Sequence, residues 1–183
     1  MHFKFNVNLD DKDYFDYNVF WTIKSHYGKK QMLKFRIAIT VFFGIICLIF
    51  LYGGGFSANA FIGVIPYLIV FVLVQLLFNS FFIWTLKGNL KSLKKKGKMG
   101  YSPISEIEFD EEGFIETTQD NKSEQKYSAI ERVSVIGDKV IYIHVNNVMA
   151  YILPSSCFES KEQLEEFLIF IKTKCTDIDI YNK

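Results

Sequence analysis

The sequence predicts a membrane α+β protein: a two-helix transmembrane hairpin plus a cytoplasmic antiparallel β-sheet closed by a C-terminal helix. Three observations carry this. Residues 37–86 contain no Asp, Glu, Lys, Arg or His, and a hydrocarbon core about 30 Å thick needs roughly 20 apolar residues per helical crossing. Short alternating runs separated by turn residues follow that stretch, as antiparallel strands do. Near the end, Leu164, Phe167, Leu168 and Ile171 recur at i, i+3, i+4 and i+7, one apolar face of a helix.

Phe3, Phe5, Val7 and Leu9 alternate with Lys4, Asn6 and Asn8, a period of two that predicts a half-buried strand. Its partner is left open, but an isolated strand is not stable alone, so it is a candidate to join the later sheet. Asp10 is placed to cap a helix over about Asp11–Tyr27. That helix is rich in aromatic residues (Tyr14, Phe15, Tyr17, Phe20, Trp21). It suits either the headgroup region of a bilayer or the surface of the sheet domain.

The charge-free stretch is too long for one crossing and divides into spans of about 37–52 and 61–86, with Gly53-Gly54-Gly55 and Ser57-Ala58-Asn59 as the loop between them. It begins well inside the chain and is followed by a second span, which a cleaved leader is not. Charge is distributed in blocks: +3 over residues 1–36, +6 over 87–98, −7 over 101–175 and −1 in the tail. Both flanks of the hairpin are rich in Lys and Arg and the loop has none, so both termini are expected in the cytoplasm of a multi-pass cell-membrane protein. Trp21, Tyr27, Tyr52 and Trp84 fall near interface levels.

Residues 87–102 read as a basic linker or a continuation of the second helix. Strands follow at Ile104–Phe109, Phe114–Thr118, Glu124–Tyr127, Ile130–Ile136, Val140–Val145 and Val148–Leu153. Gly113 is available for a positive φ in the first turn, and Asn146-Asn147 for the last hairpin. Ser160 and Gln163 have capping-box spacing ahead of the closing helix. The expected organisation is therefore 1–35 strand and aromatic helix, 36–86 hairpin, 87–102 basic linker, 103–175 sheet domain and 176–183 tail. If the first strand joins the sheet, the hairpin is an insertion into one cytoplasmic unit.

The stretches Glu108-Phe109-Asp110-Glu111-Glu112-Gly113, Tyr127-Ser128-Ala129-Ile130-Glu131-Arg132-Val133, Tyr151-Ile152-Leu153-Pro154 and Phe158 to Ile171, together with the N-terminal strand and paired spans, resemble the YcxB-like family of small bacterial membrane proteins. More distantly the pattern resembles pleckstrin-homology-like domains. The resemblance implies architecture and location, and by analogy a binding module; it implies no activity and no site residues.

No nucleophile elbow, phosphate loop or HExxH is present. His2, His26 and His144 are scattered, and Cys47, Cys157 and Cys175 have no metal or disulfide spacing. No catalytic residue, metal site or cofactor is expected, and Asp110-Glu111-Glu112 read as a solvated turn. The acidic sheet domain argues against nucleic acid as a partner. Lys87, Lys91, Lys94, Lys95, Lys96 and Lys98 are the candidates for contact with anionic lipid, or serve only as a topology signal. Thr40, Gly44 and Cys47 form a small-residue stripe on the first span, and Gln75 and Asn79 share a face of the second, with Gly44 expected near the depth of Asn79. Helix packing is the expected use; a transported solute is the alternative. The functional expectation is a membrane-anchored interaction or regulatory module whose partners are the bilayer and either another protein or further copies of itself. The alternative is a transport or toxin-immunity component acting through the hairpin.

Overall fold

The computed structural model describes every residue except Lys98, Asn147, Val148, Asn182 and Lys183. The chain divides into two compact units: residues 1–17 with 99–183, and residues 18–98. All 20 Asp and Glu lie in the first unit, which holds 10 of the 21 Lys and Arg; the other 11 lie in the second, so the units carry −10 and +11.

Among the described residues, the first unit holds eight strands. Strand β1 (Phe3–Asn8) pairs antiparallel with β2 (Ile104–Phe109) over six positions, from Phe3 opposite Phe109 to Asn8 opposite Ile104. The N-terminal strand therefore belongs to the later sheet, and the hairpin is inserted between two adjacent strands. Strands β3 (Gly113–Thr118) and β4 (Lys122–Lys126) complete a sheet of order β1-β2-β3-β4. The second sheet has order β7-β6-β5-β8, from β5 (Arg132–Ile136), β6 (Val140–His144), β7 (Ala150–Pro154) and β8 (Ile178–Tyr181).

Two expectations are corrected here. There are two sheets rather than one. They are not wholly antiparallel, because the tail adds β8 parallel to β5. The sequence assigns no element to the tail at 176–183, since four alternating residues are too few to carry a period. The strand expected at Ile130–Ile136 begins at Arg132, after a 3-10 turn at Tyr127–Ala129. The second half of the Asn146-Asn147 turn and the start of the strand expected at Val148 lie outside the described residues; the Asn146 side chain accepts the Met149 amide at 2.7 Å.

One core joins both sheets to the closing helix. On β1, Phe3, Phe5 and Val7 are buried and their neighbours exposed, so the alternation works as the sequence implies. The helix at Lys161–Lys174 buries Leu164, Phe167, Phe170 and Ile171. Ser160 caps it, accepting the Gln163 amide at 3.2 Å, while the Gln163 side chain reaches back to the Glu159 amide at 2.7 Å. Phe167 sits 5.0 Å from Phe5 and 4.9 Å from Phe109, and Phe114 meets Tyr151 of the second sheet edge-on at 4.9 Å. Gly113 has no positive φ. It is a strand glycine because a Cβ there would stand 2.3 Å from the Gln125 carbonyl oxygen of β4.

The first helix, α1 (Asp11–Val19), opens on a reciprocal cap: Asp10 accepts the Asp13 amide at 2.8 Å and Asp13 accepts the Asp10 amide at 3.1 Å. Tyr17 lies 5.1 Å from Tyr142 and 6.0 Å from His144, so α1 covers the face of the second sheet that turns away from the core.

In the second unit the expected helix to Tyr27 is interrupted. A π-helical turn at Phe20–Lys24 ends at Ser25, which is extended (φ −62°, ψ 158°). Ser25 then caps α2 (His26–Gly53), accepting the Gly28 amide at 2.9 Å. The turn folds back so tightly that a Cβ on Gly28 would lie 2.3 Å from the Trp21 carbonyl oxygen. Helix α3 (Ala58–Lys95) follows, capped by Ser57. The break between the helices is Gly54–Ser57, shorter than the expected loop, and residues 87–95 of the expected linker are helical. Gly97 ends α3 with φ +65°, the left-handed stop that favours glycine. The C-terminal helix is hereafter α4.

Candidate functional site

The hairpin places four polar groups together. The Arg36 Nη2 donates to Asn79 Oδ1 at 3.2 Å, and Gln75 Nε2 donates to Thr40 Oγ1 at 3.3 Å and to the Arg36 carbonyl oxygen at 3.5 Å. The Arg36 guanidinium also lies 5.3 Å from the centre of the Phe78 ring. Gln75 and Asn79 therefore bond the neighbouring helix. Arg36 was overlooked as part of this cluster because it is the last charge before the charge-free run and read as a flank.

Gly44 requires a correction. Asn79 pairs with Arg36 and Phe43 meets Phe71 at 5.5 Å, so Gly44 is nowhere near the level of Asn79. A Cβ on Gly44 would meet nothing within 4 Å; close approach occurs instead at Gly63, where a Cβ would stand 2.6 Å from the Phe50 ring. The short turn set this register, and the sequence had suggested a longer one. Cys47 is half-buried.

Lys87, Lys91, Lys94 and Lys95 lie on α3 at i, i+4, i+7 and i+8, which puts four ammonium groups on one helix face. Lys96 caps the helix, and Lys98 lies outside the described residues.

In the sheet unit the acidic turn is used locally. Asp110 accepts the Glu112 and Gly113 amides at 2.8 and 2.9 Å, which hold its carboxyl below the usual range. Glu111 pairs with Lys174 at 2.9 Å, and Lys174 stands 5.5 Å over both Tyr127 and Phe170. Arg132 bridges Asp177 at 3.3 Å and Asp179 at 3.5 Å, tying β8 to β5. His144 is fully buried, its Nε2 3.3 Å from Ser134 Oγ. Burial, with Arg132 adding and Asp179 opposing, lowers its pKa to about 4. Burial pushes the Cys157 thiol up to about 12 and Cys175 to about 11, so neither supplies a thiolate near neutrality. Among the described residues no group of His, Cys, Asp and Glu is arranged to hold a metal ion.

A cleft of about 420 Å³ opens in this unit between β2, β3 and β7, where the chain leaves β1 and returns through Met99–Ser102. Glu116 lines it, with Tyr14, Tyr101 and Tyr151. The sequence reading missed this site, although one signal was available. Phe114, Glu116 and Thr118 alternate on β3, so an acid occupies the same register as a core phenylalanine.

The molecule is thus an α+β protein with two long apolar helices set between the first two strands of a sheet unit. Residues 109–171 match the family model described as YcxB-like protein. The match runs from the end of β2 into α4, and so covers β3 to β7 and most of the closing helix. No curated protein and no solved structure matches the chain.

Proposed function

We propose that this protein is a membrane-anchored interaction or regulatory module. The α2–α3 hairpin spans the bilayer, and a pleckstrin-like sheet unit lies in the cytoplasm with both termini. The observation that carries the reading is where the apolar surface faces. The most apolar 18-residue windows of α2 and α3 have mean hydropathies of 2.4 and 2.6, with none and 11% of their residues buried. Helices of 28 and 38 residues are about 42 and 57 Å long at 1.5 Å per residue, more than a hydrocarbon core requires. The Lys-rich ends favour the cytoplasmic side. Two sheets closed by a C-terminal helix support the pleckstrin-like description, with β8 as an addition to it.

The basic face at Lys87, Lys91, Lys94 and Lys95 suits anionic lipid, at about 1 kcal/mol per lysine near the surface. Gln75 and Asn79 bond to α2, which supports packing over solute binding. Affinity capture of the tagged full chain from mild detergent should recover one reproducible partner through the sheet unit. Repeated recovery of none contradicts the module.

A further inference from the structure

The cleft beside Glu116 has a chemistry of its own. Ile107 and Phe109 of β2 are buried and stand directly opposite Glu116 and Phe114 of β3. Paired residues on adjacent strands share a face, so the Glu116 carboxylate is on the core side of its sheet. It carries the one formal charge among the residues that line the cleft. Among the described residues no cation pairs with it, whereas Lys4 is shared by Glu106 and Glu108 at 2.8 Å each. Burial raises its pKa, only partly offset by the Ser105 hydroxyl, so an arriving cation relieves an unfavourable position.

The walls suit a cation as well. The Tyr14 and Tyr101 rings meet at 4.9 Å, tilted by 30°, and the Tyr101 hydroxyl donates to Asp11 at 2.9 Å, which fixes the ring. Gly100 makes room for Tyr14, since a Cβ there would stand 2.2 Å from its hydroxyl oxygen. Tyr151, a buried residue, also lines the cleft, and Met99 and Met149 are exposed there. Aromatic faces attract ammonium and guanidinium groups, and methionines adapt to varied shapes. The volume falls within the usual range for ligand sites. The cleft also borders β7, an edge strand of its sheet, to which an extended peptide can add. The unit's charge of −10 draws basic ligands toward it.

We propose that this cleft binds a lysine or arginine side chain of a basic peptide, with the charge against Glu116 and the stem against the Tyr14 and Tyr101 rings. The proposal rests on the sheet unit being a binding module and is independent of membrane insertion.

The test uses the full chain in neutral detergent and a fluorescent peptide of alternating lysine and valine, measured by anisotropy. Saturable binding is expected, at least tenfold weaker when norleucine replaces lysine. Glu116→Gln should weaken the lysine peptide at least tenfold, while Glu112→Gln in the exposed turn changes it less than twofold. Tyr101→Ala, which removes the ring, should bind at least threefold more weakly, and Tyr101→Phe, which keeps the ring and loses only its bond to Asp11, should lose less than Tyr101→Ala does. The tyrosine pair decides the matter if Glu116→Gln fails to fold. Equal losses for Glu116→Gln and Glu112→Gln mean general attraction to an acidic surface and overturn the site. Butylammonium binding as tightly as the peptide overturns the peptide assignment. A Glu116→Gln protein that binds normally removes the cleft and leaves the module standing; the module itself falls only with the capture experiment.

Discussion

Phe5, Phe109, Phe114 and Phe167 of the sheet unit are sealed from solvent, whereas Phe42, Phe61, Phe81 and Trp84 of the helical unit are each more than half exposed. The same residue types serve two different surroundings. Acids follow the same divide, with all of them in the sheet unit and none in the helical unit. Composition averaged over the chain hides this, because −10 and +11 sum to a charge of +1. On our reading the sheet unit is folded by removing aromatic surface from water, and the hairpin is held by presenting it to lipid.

The contrast predicts opposite responses to matched substitutions. Phe5→Ala should destabilise the sheet unit by about 3–5 kcal/mol, the cost of an emptied aromatic site; chemical denaturation followed by near-ultraviolet circular dichroism measures it. Phe81→Ala, at an exposed position of α3, should leave that transition unchanged. Conversely, Val70→Arg near the middle of α3 should cost about 2.5–3.5 kcal/mol of membrane insertion, seen as a smaller membrane fraction.

A third difference concerns pH. His144 is neutral when folded and takes up a proton more readily when unfolded. Its contribution is therefore complete above the ordinary pKa of 6.5 and is lost as pH falls from there through about 4. The drop is about 3 kcal/mol at roughly 1.4 kcal/mol per pK unit, and thermal melts from pH 7 to 4 should show it reduced in His144→Gln. The smallest effect is expected in the hairpin: Gln75→Leu removes two interhelical bonds, to Thr40 and to the Arg36 carbonyl, each worth about 0.6 kcal/mol in a membrane, readable by steric-trap unfolding in bicelles.

Elements with a local period were legible in the sequence. Phe3, Phe5 and Val7 announce a strand, and Leu164, Phe167 and Ile171 the closing helix. What the period cannot supply is a partner: Phe3 pairs with Phe109 across the whole hairpin. The break at Ser25 was hidden because aromatic residues continue through it, although Ser25 and Gly28 mark a cap in retrospect. The polar cluster was half legible, since Gln75 and Asn79 stood out in an apolar run while Arg36 did not. Glu116 was passed over because one acid in a mixed strand reads as an outward residue until β2 fixes the register.

The central claim is that the hairpin crosses a bilayer and returns the chain to the side it came from. In a protein whose three native cysteines are replaced by alanine, single cysteines at Asn59, in the first turn of α3, and at Lys122 in the sheet unit would be exposed to a membrane-impermeant maleimide in intact cells. The account predicts labelling of Asn59→Cys alone, with Lys122→Cys labelled only after the membrane is opened. Labelling of Lys122→Cys in intact cells, or protection of Asn59→Cys there, would contradict it.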